Sequence, residues 1–207
     1  MSQRGSGRPT PDNAVLEERE ILDRGLSAFS ELGYDGTTVR QLATRLGVSH
    51  NFINDRYGSK LAFWKAVVGN AQNELWTEVQ QSLEQATGSP ENRLAEVVRS
   101  FLLAAARHPE TSRIAHDEAS RDSERLRFLI QSYARPFQEV LSPLLTEAAA
   151  GGRVAELPIG VMMFAVSAMT SFTAQAPLLT LLADGPPLSI EAWAEMLAEI
   201  LINGLLR

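Results

Sequence analysis

The chain has 207 residues, 44% of them hydrophobic, no cysteine and a formal net charge of −6. That length holds one large domain or two small ones with a substantial core, and the missing thiols exclude disulfide scaffolds, cysteine nucleophiles and cysteine metal sites, which suits a reducing cytoplasm. The acidic balance excludes a protein that coats nucleic acid uniformly, yet residues 1–67 carry nine Arg/Lys against eight Asp/Glu and residues 68–207 ten against seventeen, so the N-terminal third is the relatively basic end.

Residues 1–13 are polar, with Arg4, Arg8, Gly and Pro, and read as a disordered arm without an apolar leader. The periodicity predicts a first helix from about Ala14 to Leu32, with Leu22, Leu26 and Phe29 on one face and Gly33 behind it. "YDGTT" is a turn, with Thr37 or Thr38 as N-cap for a short second helix whose Val39, Leu42, Ala43 and Leu46 form a tight apolar face. Gly47 ends it. Ser49 is expected to cap a third helix over roughly His50–Tyr57, and Ser59 a longer fourth carrying Leu61, Trp64, Val68 and Leu75. A fifth helix follows "TGSP" and closes at "HPE"; a sixth covers about Glu110–Ser120. A seventh runs from about Ser123 to Ala149, where Pro136 and Pro143 kink it or mark breaks. Leu157–Ala183 has no charged residue over 27 positions, long enough to span a bilayer. Its hydroxyl residues and Pro177 favour an eighth helix hidden between other helices, and no membrane partner is expected. A ninth carries Ile190, Trp193, Leu197, Ile200 and Leu201. The fold expected is all-α with about nine helices.

The stretch "RQLATRLGVSHNFINDRYGSK" carries the functional reading. Two short helices joined by a tight Gly-containing turn make a helix-turn-helix. The first anchors through its apolar face; the second needs only Ile53 and Tyr57 to hold it, leaving the rest free to enter a major groove. Asn51, Asn54 and Asp55 fall on one face. Asn pairs bidentately with adenine, and Asp accepts from the cytosine amino group. Thr38, Arg40, Ser49, His50, Arg56 and Lys60, with the arm's Arg4 and Arg8, are the candidates for holding the backbone of double-stranded DNA. A solvated polar helix has the same composition, and Asp55 also fits an intramolecular ion pair.

At this point residues 21–68 resemble the N-terminal domain of the TetR family of transcriptional regulators. Gly33-Tyr34, Thr37-Thr38-Val39, Gly47-Val48-Ser49, Ser59-Lys60 and the aromatic pair Phe63-Trp64 match in register. The end of the third helix departs: Ile53-Asn54-Asp55-Arg56-Tyr57 stands where the family often has Leu-Tyr-x-Tyr/His-Phe. The resemblance implies an N-terminal DNA-binding domain (residues 14–66) and a helical effector-binding and dimerisation domain (67–207). It implies a regulator, a repressor in the family's usual mode, that binds a palindromic operator as a homodimer and is released by a small-molecule effector.

It also implies a cavity in the second domain, for which Trp76, Phe101, Phe128, Tyr133, Phe137, Met162 and Phe172 are candidate walls and His108, Arg113 or His116 candidate polar anchors. For the dimer, Met163 and the small-residue positions Ser167, Thr170, Ser171 and Ala174, with Trp193, Leu197 and Ile200, are the candidate contacts. Each of these residues is also what an ordinary helical core contains. No cofactor is indicated. No metal-binding histidine spacing, phosphate loop or nucleophile elbow supports an enzyme. The rival reading is a helical ligand-binding or scaffold protein without sequence-specific DNA binding.

Overall fold

The computed structural model describes residues 11–152, 154, 156–182 and 188–205, with side chains described from residue 18 onward except at 174, 176 and 177. Arg4 and Arg8 lie outside the described residues. The fold is all-α: α1 (Pro11–Leu32), α2 (Val39–Leu46), α3 (Phe52–Tyr57), α4 (Lys60–Gln85), α5 (Pro90–Arg107), α6 (Pro109–Ala119), α7 (Glu124–Leu129), α8 (Arg135–Ala150), α9 (Ile159–Thr170), α10 (Ala176–Leu182) and α11 (Ile190–Leu205). The chain divides into two units between Asn70 and Ala71, inside α4.

Among the described residues eleven α-helices stand where about nine are expected, because two long segments each break once. In the first, residues 130–134 form a π-helical turn between α7 and α8. Pro136 is the physical cause. It has no N–H to donate, and its ring would meet the carbonyl of residue 132 in a regular helix. The turn widens, and Arg135 N–H reaches back five residues to the Ile130 carbonyl. In the second, the uncharged segment is interrupted by a 3-10 turn over residues 171–175. Thr170 and Thr173 donate their hydroxyls to the carbonyls three residues earlier, both at 2.8 Å, which tightens the backbone. No described helix is long and apolar enough to cross a membrane.

In the first unit, the α2 face supplies Leu42, Ala43 and Leu46 to a core with Ala28 and Phe29 of α1 and Phe63, Trp64, Val67 and Val68 of α4. Gly25 permits close approach here. A Cβ added to it would lie 2.7 Å from Val67 Cγ2 and 2.8 Å from Phe63 Cζ. Aromatic rings continue the packing: Phe29 lies 5.9 Å from Phe63, and Tyr34 meets Trp64 edge-on at 6.3 Å.

In the second unit α5 is central, packing against α8, α9 and α11. Val97, Val98 and Leu102 meet Leu141, Leu144 and Leu145 of α8, Met162 and Val166 of α9 and Ala198 and Ile202 of α11 in one apolar cluster. Ser89 caps α5 and Ser123 caps α7, each accepting a backbone N–H three residues on, at 3.4 and 3.0 Å.

Candidate nucleic-acid interface and cavity

The start of α2 is set by a capping box. Gln41 N–H donates to Thr38 Oγ1 (3.2 Å), and Thr38 N–H donates to Gln41 Oε1 (2.9 Å). Its end is set by Gly47, in the left-handed conformation at φ 71°, where the chain turns sharply enough for Val48 N–H to bond the Ala43 carbonyl at 3.0 Å. The regular part of α3 begins at Phe52, two residues later than the sequence pattern places it, and the expected Ser49 cap is not formed. Asn51 occupies the cap position with helical backbone angles and no capping bond. The lead-in is instead closed by backbone alone, with Phe52 N–H donating to the Ser49 carbonyl at 3.1 Å.

Ile53 is fully buried and holds α3 down, while Tyr57 packs on Phe63 with ring centres 4.8 Å apart. Phe52 is half-buried, edge-on to Tyr57 at 6.3 Å. Ser49, His50, Asn51, Asn54, Asp55 and Arg56 are all exposed. Among the described residues, the side chains of Asn51, Asn54 and Asp55 make no hydrogen bond or ion pair, so their recognition capacity is not used by the fold itself.

The cations divide differently from expectation. Arg56 pairs with Glu18 of α1, and Tyr57 Oη donates to the same carboxylate at 3.3 Å. Burial and then the Glu18 charge push the Tyr57 phenol above its usual range. Lys60 is turned inward. Its Nζ donates to the Tyr34 carbonyl at 2.8 Å and the Thr37 carbonyl at 2.7 Å, and lies 3.9 Å from the Tyr34 ring centre. It therefore ties the turn before α2 to the first residue of α4. Arg45 is paired to Glu31, and Arg24 to Glu20 and the Leu46 carbonyl. Arg40 and Thr38 are exposed at the start of α2. Pattern reading could count the basic residues but not see which carboxylate or carbonyl each one meets.

The second unit contains a cavity of about 180 Å³ bounded by residues of α4 to α9. Of the expected wall residues, Trp76, Phe101, Tyr133 and Phe137 line it. Phe101 and Phe137 stack at 4.5 Å, and Trp76 stands edge-on to Phe137 at 5.9 Å. The π-helical turn contributes Ile130, Tyr133 and Ala134 to the wall, and burial raises the Tyr133 phenol above its usual range. The other expected residues are elsewhere. Met162 is in the apolar core. Phe172 packs with Ala106 and Ala194. Phe128 meets Tyr133 edge-on at 5.9 Å without lining the cavity. His116 is exposed on α6, Arg113 is not in the wall, and His108 pairs with Glu78 at 2.8 Å. Thr111, which sequence reasoning did not single out, lines the cavity, and its buried Oγ1 has no partner.

The residues expected at a dimer contact also separate. Met163, Ser167 and Thr170 line the cavity. Ser171 is half-buried and accepts from Gln175, while Trp193 and Leu197 pack beside Phe172. The Ala174 side chain lies outside the described residues. Ile200 is 61% exposed. Of the ten large apolar side chains exposed among the described residues, eight fall between Val161 and Ile200, including Phe164 at 76% and Leu181 at 83%.

An anchored α2, a tight glycine turn and an α3 that leaves Asn54 and Asp55 exposed and uncommitted define a helix-turn-helix DNA-binding protein. The bacterial regulatory proteins of the tetR family match at residues 21–67, and the tetracyclin repressor-like C-terminal domain at residues 87–175. The HTH-type transcriptional regulator YezE of Bacillus subtilis (strain 168) is 27% identical over 104 residues, 50% of this chain and 53% of that protein. The chain spans about half the length of the curated relatives it matches. Among solved structures, HlyIIR, a hemolysin II transcriptional regulator, superposes with a TM-score of 0.68 at 21% identity, covering 93% of this chain and 98% of that one. AibR in complex with isovaleryl coenzyme A and operator DNA superposes with a TM-score of 0.71 at 18% identity, covering 90% and 98%. At such identities these structures establish the fold. The chain belongs to the TetR family of transcriptional regulators, which is not an enzyme class.

Proposed function

We propose that this chain is a cytoplasmic repressor that binds a two-fold symmetric operator as a homodimer and is released by a small-molecule effector. The observation that carries the DNA reading is the exposed, internally unpartnered set of Asn51 at the cap of α3 with Asn54 and Asp55 on it. Two asparagines favour adenine contacts, and Asp55 favours cytosine while repelling phosphate in a wrong register. Thr38, Arg40, Ser49 and His50 hold the backbone, and Arg56 reaches phosphate only by leaving Glu18. Lys60 acts as a positioning residue, keeping the turn before α2 in place. One such unit reaches few phosphates, so a second copy supplies the other half-site, about 34–36 Å away along the duplex. The exposed apolar side chains of α9 to α11 support self-association. Residues 14–66 form the DNA-binding part; residues 67–207 form the effector-binding and dimerisation part, with the aromatic cavity as effector site.

The test is selection of bound fragments from randomised DNA with the purified chain. A symmetric pair of half-sites one helical turn apart is expected. Retention without any sequence enrichment would remove the reading, and an enriched single half-site would remove the dimer from it.

A further inference from the structure

The make-up of the cavity wall restricts what can bind in it. Among the described residues the wall has no charged side chain: it is built from aromatic and aliphatic residues, with Gln72, Thr111, Ser112, Tyr133, Ser167 and Thr170 carrying its polar groups. The cationic groups that could have met an acidic ligand are committed or displaced. His108 is held by Glu78 at 2.8 Å, Arg125 by Glu118 at 2.6 Å, Arg113 is not in the wall, and His116 is on the exposed side of α6. An anion brought into this wall would lose its hydration without gaining a counter-charge, a net cost. The same holds for a cation, since no carboxylate of the described residues lines the wall either.

Two of the polar members are already satisfied within the protein. Ser112 Oγ donates to the Ala105 carbonyl at 3.1 Å, and Thr170 Oγ1 to the Ser167 carbonyl at 2.8 Å. Thr111 is not. It is 1% exposed, and its Oγ1 has no hydrogen-bond partner. A buried hydroxyl left unpaired is destabilising, and buried polar atoms without partners are uncommon enough to need a reason. A ligand seated against the first turn of α6 supplies one.

Building on the reading of this cavity as the effector site, we propose that it takes an uncharged ligand with a flat apolar body, whose single hydroxyl or carbonyl is bonded by Thr111 Oγ1. The Phe101–Phe137 stack and the edge of Trp76 form the slot for the flat part. The volume of about 180 Å³ suits a two-ring compound and excludes a nucleotide-sized one unless the walls move.

The experiment uses three probes of one shape on the full chain: 2-naphthol, naphthalene and 2-naphthoate, with binding read by titration calorimetry and by tryptophan fluorescence. At neutral pH, 2-naphthol is expected to bind roughly tenfold more tightly than naphthalene, and 2-naphthoate at least roughly a hundredfold more weakly than 2-naphthol. Thr111→Val keeps the side-chain shape and removes the hydroxyl. It is expected to bring 2-naphthol down to the naphthalene affinity while leaving naphthalene unchanged, with no loss of thermal stability in the unliganded protein. Equal binding of 2-naphthoate and 2-naphthol, an unchanged ratio in Thr111→Val, or no binding by any probe overturns the proposal. Release of the selected DNA by 2-naphthol is measured in parallel. Binding in the expected order of affinities without release upholds the ligand class and removes the effector role, so the two readings fail separately.

Discussion

Lys60→Met separates two roles that the sequence could not. As a phosphate contact, Lys60 would contribute to DNA affinity and to its salt dependence. In the structure its ammonium is spent on the Tyr34 and Thr37 carbonyls at 2.8 and 2.7 Å and on the Tyr34 ring at 3.9 Å. Hydrogen bonds from a charged donor contribute about 1.5–3 kcal/mol each where desolvated, and an exposed cation–ring contact about 0.5–1 kcal/mol. Lys60 is only half-buried, so water replaces part of what is removed, and the expected destabilisation is about 2–3 kcal/mol, below the roughly 3.5 kcal/mol to which the low ends of these ranges add. Methionine keeps the stem and removes the charge. The assay has two arms: urea unfolding, and DNA affinity as a function of salt. We expect the unfolding midpoint to fall and binding to weaken on every sequence, because the turn that presents α2 is loosened. The slope of log affinity against log salt should stay unchanged. A slope shallower by about 0.9 for each phosphate no longer neutralised, with stability intact, would show that Lys60 is a phosphate ligand and that the inward geometry is not the one used on DNA.

Four further outcomes are expected. Gly25→Ala gains helix propensity but drives a methyl group to within 2.7 Å of Val67 and 2.8 Å of Phe63, so a net destabilisation of about 1–2 kcal/mol should appear in thermal unfolding; a stabilised variant would contradict the close packing. Asn54→Ala should relax preference at one base pair by about 1–3 kcal/mol in competition binding, whereas a uniform loss on all sequences would make it a positioning residue. Phe164→Glu should give monomers by sedimentation if its 76% exposed ring is an intersubunit contact. Glu78 titrates below the ordinary carboxylate value of 4.5; burial opposes its charge, but hydrogen bonds from His108 and Arg107 outweigh it. A depressed carboxyl stabilises the fold above its unfolded pKa and loses that stabilisation as pH falls through the folded value. The stability difference between the native chain and Glu78→Gln should therefore shrink as pH falls through the carboxylate range, and a difference unchanged there would contradict the pairing.

Much of the helical framework was legible because burial imposes the 3.6-residue period. Leu42, Ala43 and Leu46 are buried as their spacing requires, and Thr38, Gly47, Ser59 and Ser89 end or begin helices by local chemistry that acts over four residues. The uncommitted face of α3 was legible for the same reason, since Ile53 at its centre fixes which side turns inward. What failed depends on pairs distant in the chain. Arg56 meets Glu18, 38 residues away, and Lys60 meets a carbonyl 26 residues away; neither leaves a periodic trace. Pro136 did announce a break, but whether a proline kinks, ends or widens a helix is settled by what packs on either side of it. Gly25, a glycine inside a helical run, was not singled out by the pattern, because its role depends on the α4 side chains it meets. The cavity walls were the least legible, because an aromatic residue facing a cavity and one facing a core have the same sequence spacing.

The charge arrangement bears on how little an effector must do. Arg56, Arg45, Arg24 and Lys60 are all engaged by the protein's own carboxylates or carbonyls, and Asp55 adds a negative charge to the reading face. If the chain binds DNA as the proposed dimer, such a helix-turn-helix neutralises few phosphates per copy, so its non-specific affinity is low and its specific affinity rests on both half-sites engaging together. Losing the match at one half-site then removes about half of an already small number of phosphate interactions. A coupling of about 1–3 kcal/mol, the ordinary range between two sites, is enough to move such a protein between bound and released at fixed concentration. It follows that Asp55→Asn should weaken regulation from the opposite direction. With the repulsion removed, non-specific retention rises, and the same effector concentration releases a smaller fraction of the DNA. Gel-shift titrations of both forms on operator and unrelated DNA would show it. Unchanged affinity for unrelated DNA would mean that Asp55 does not face phosphate in any register.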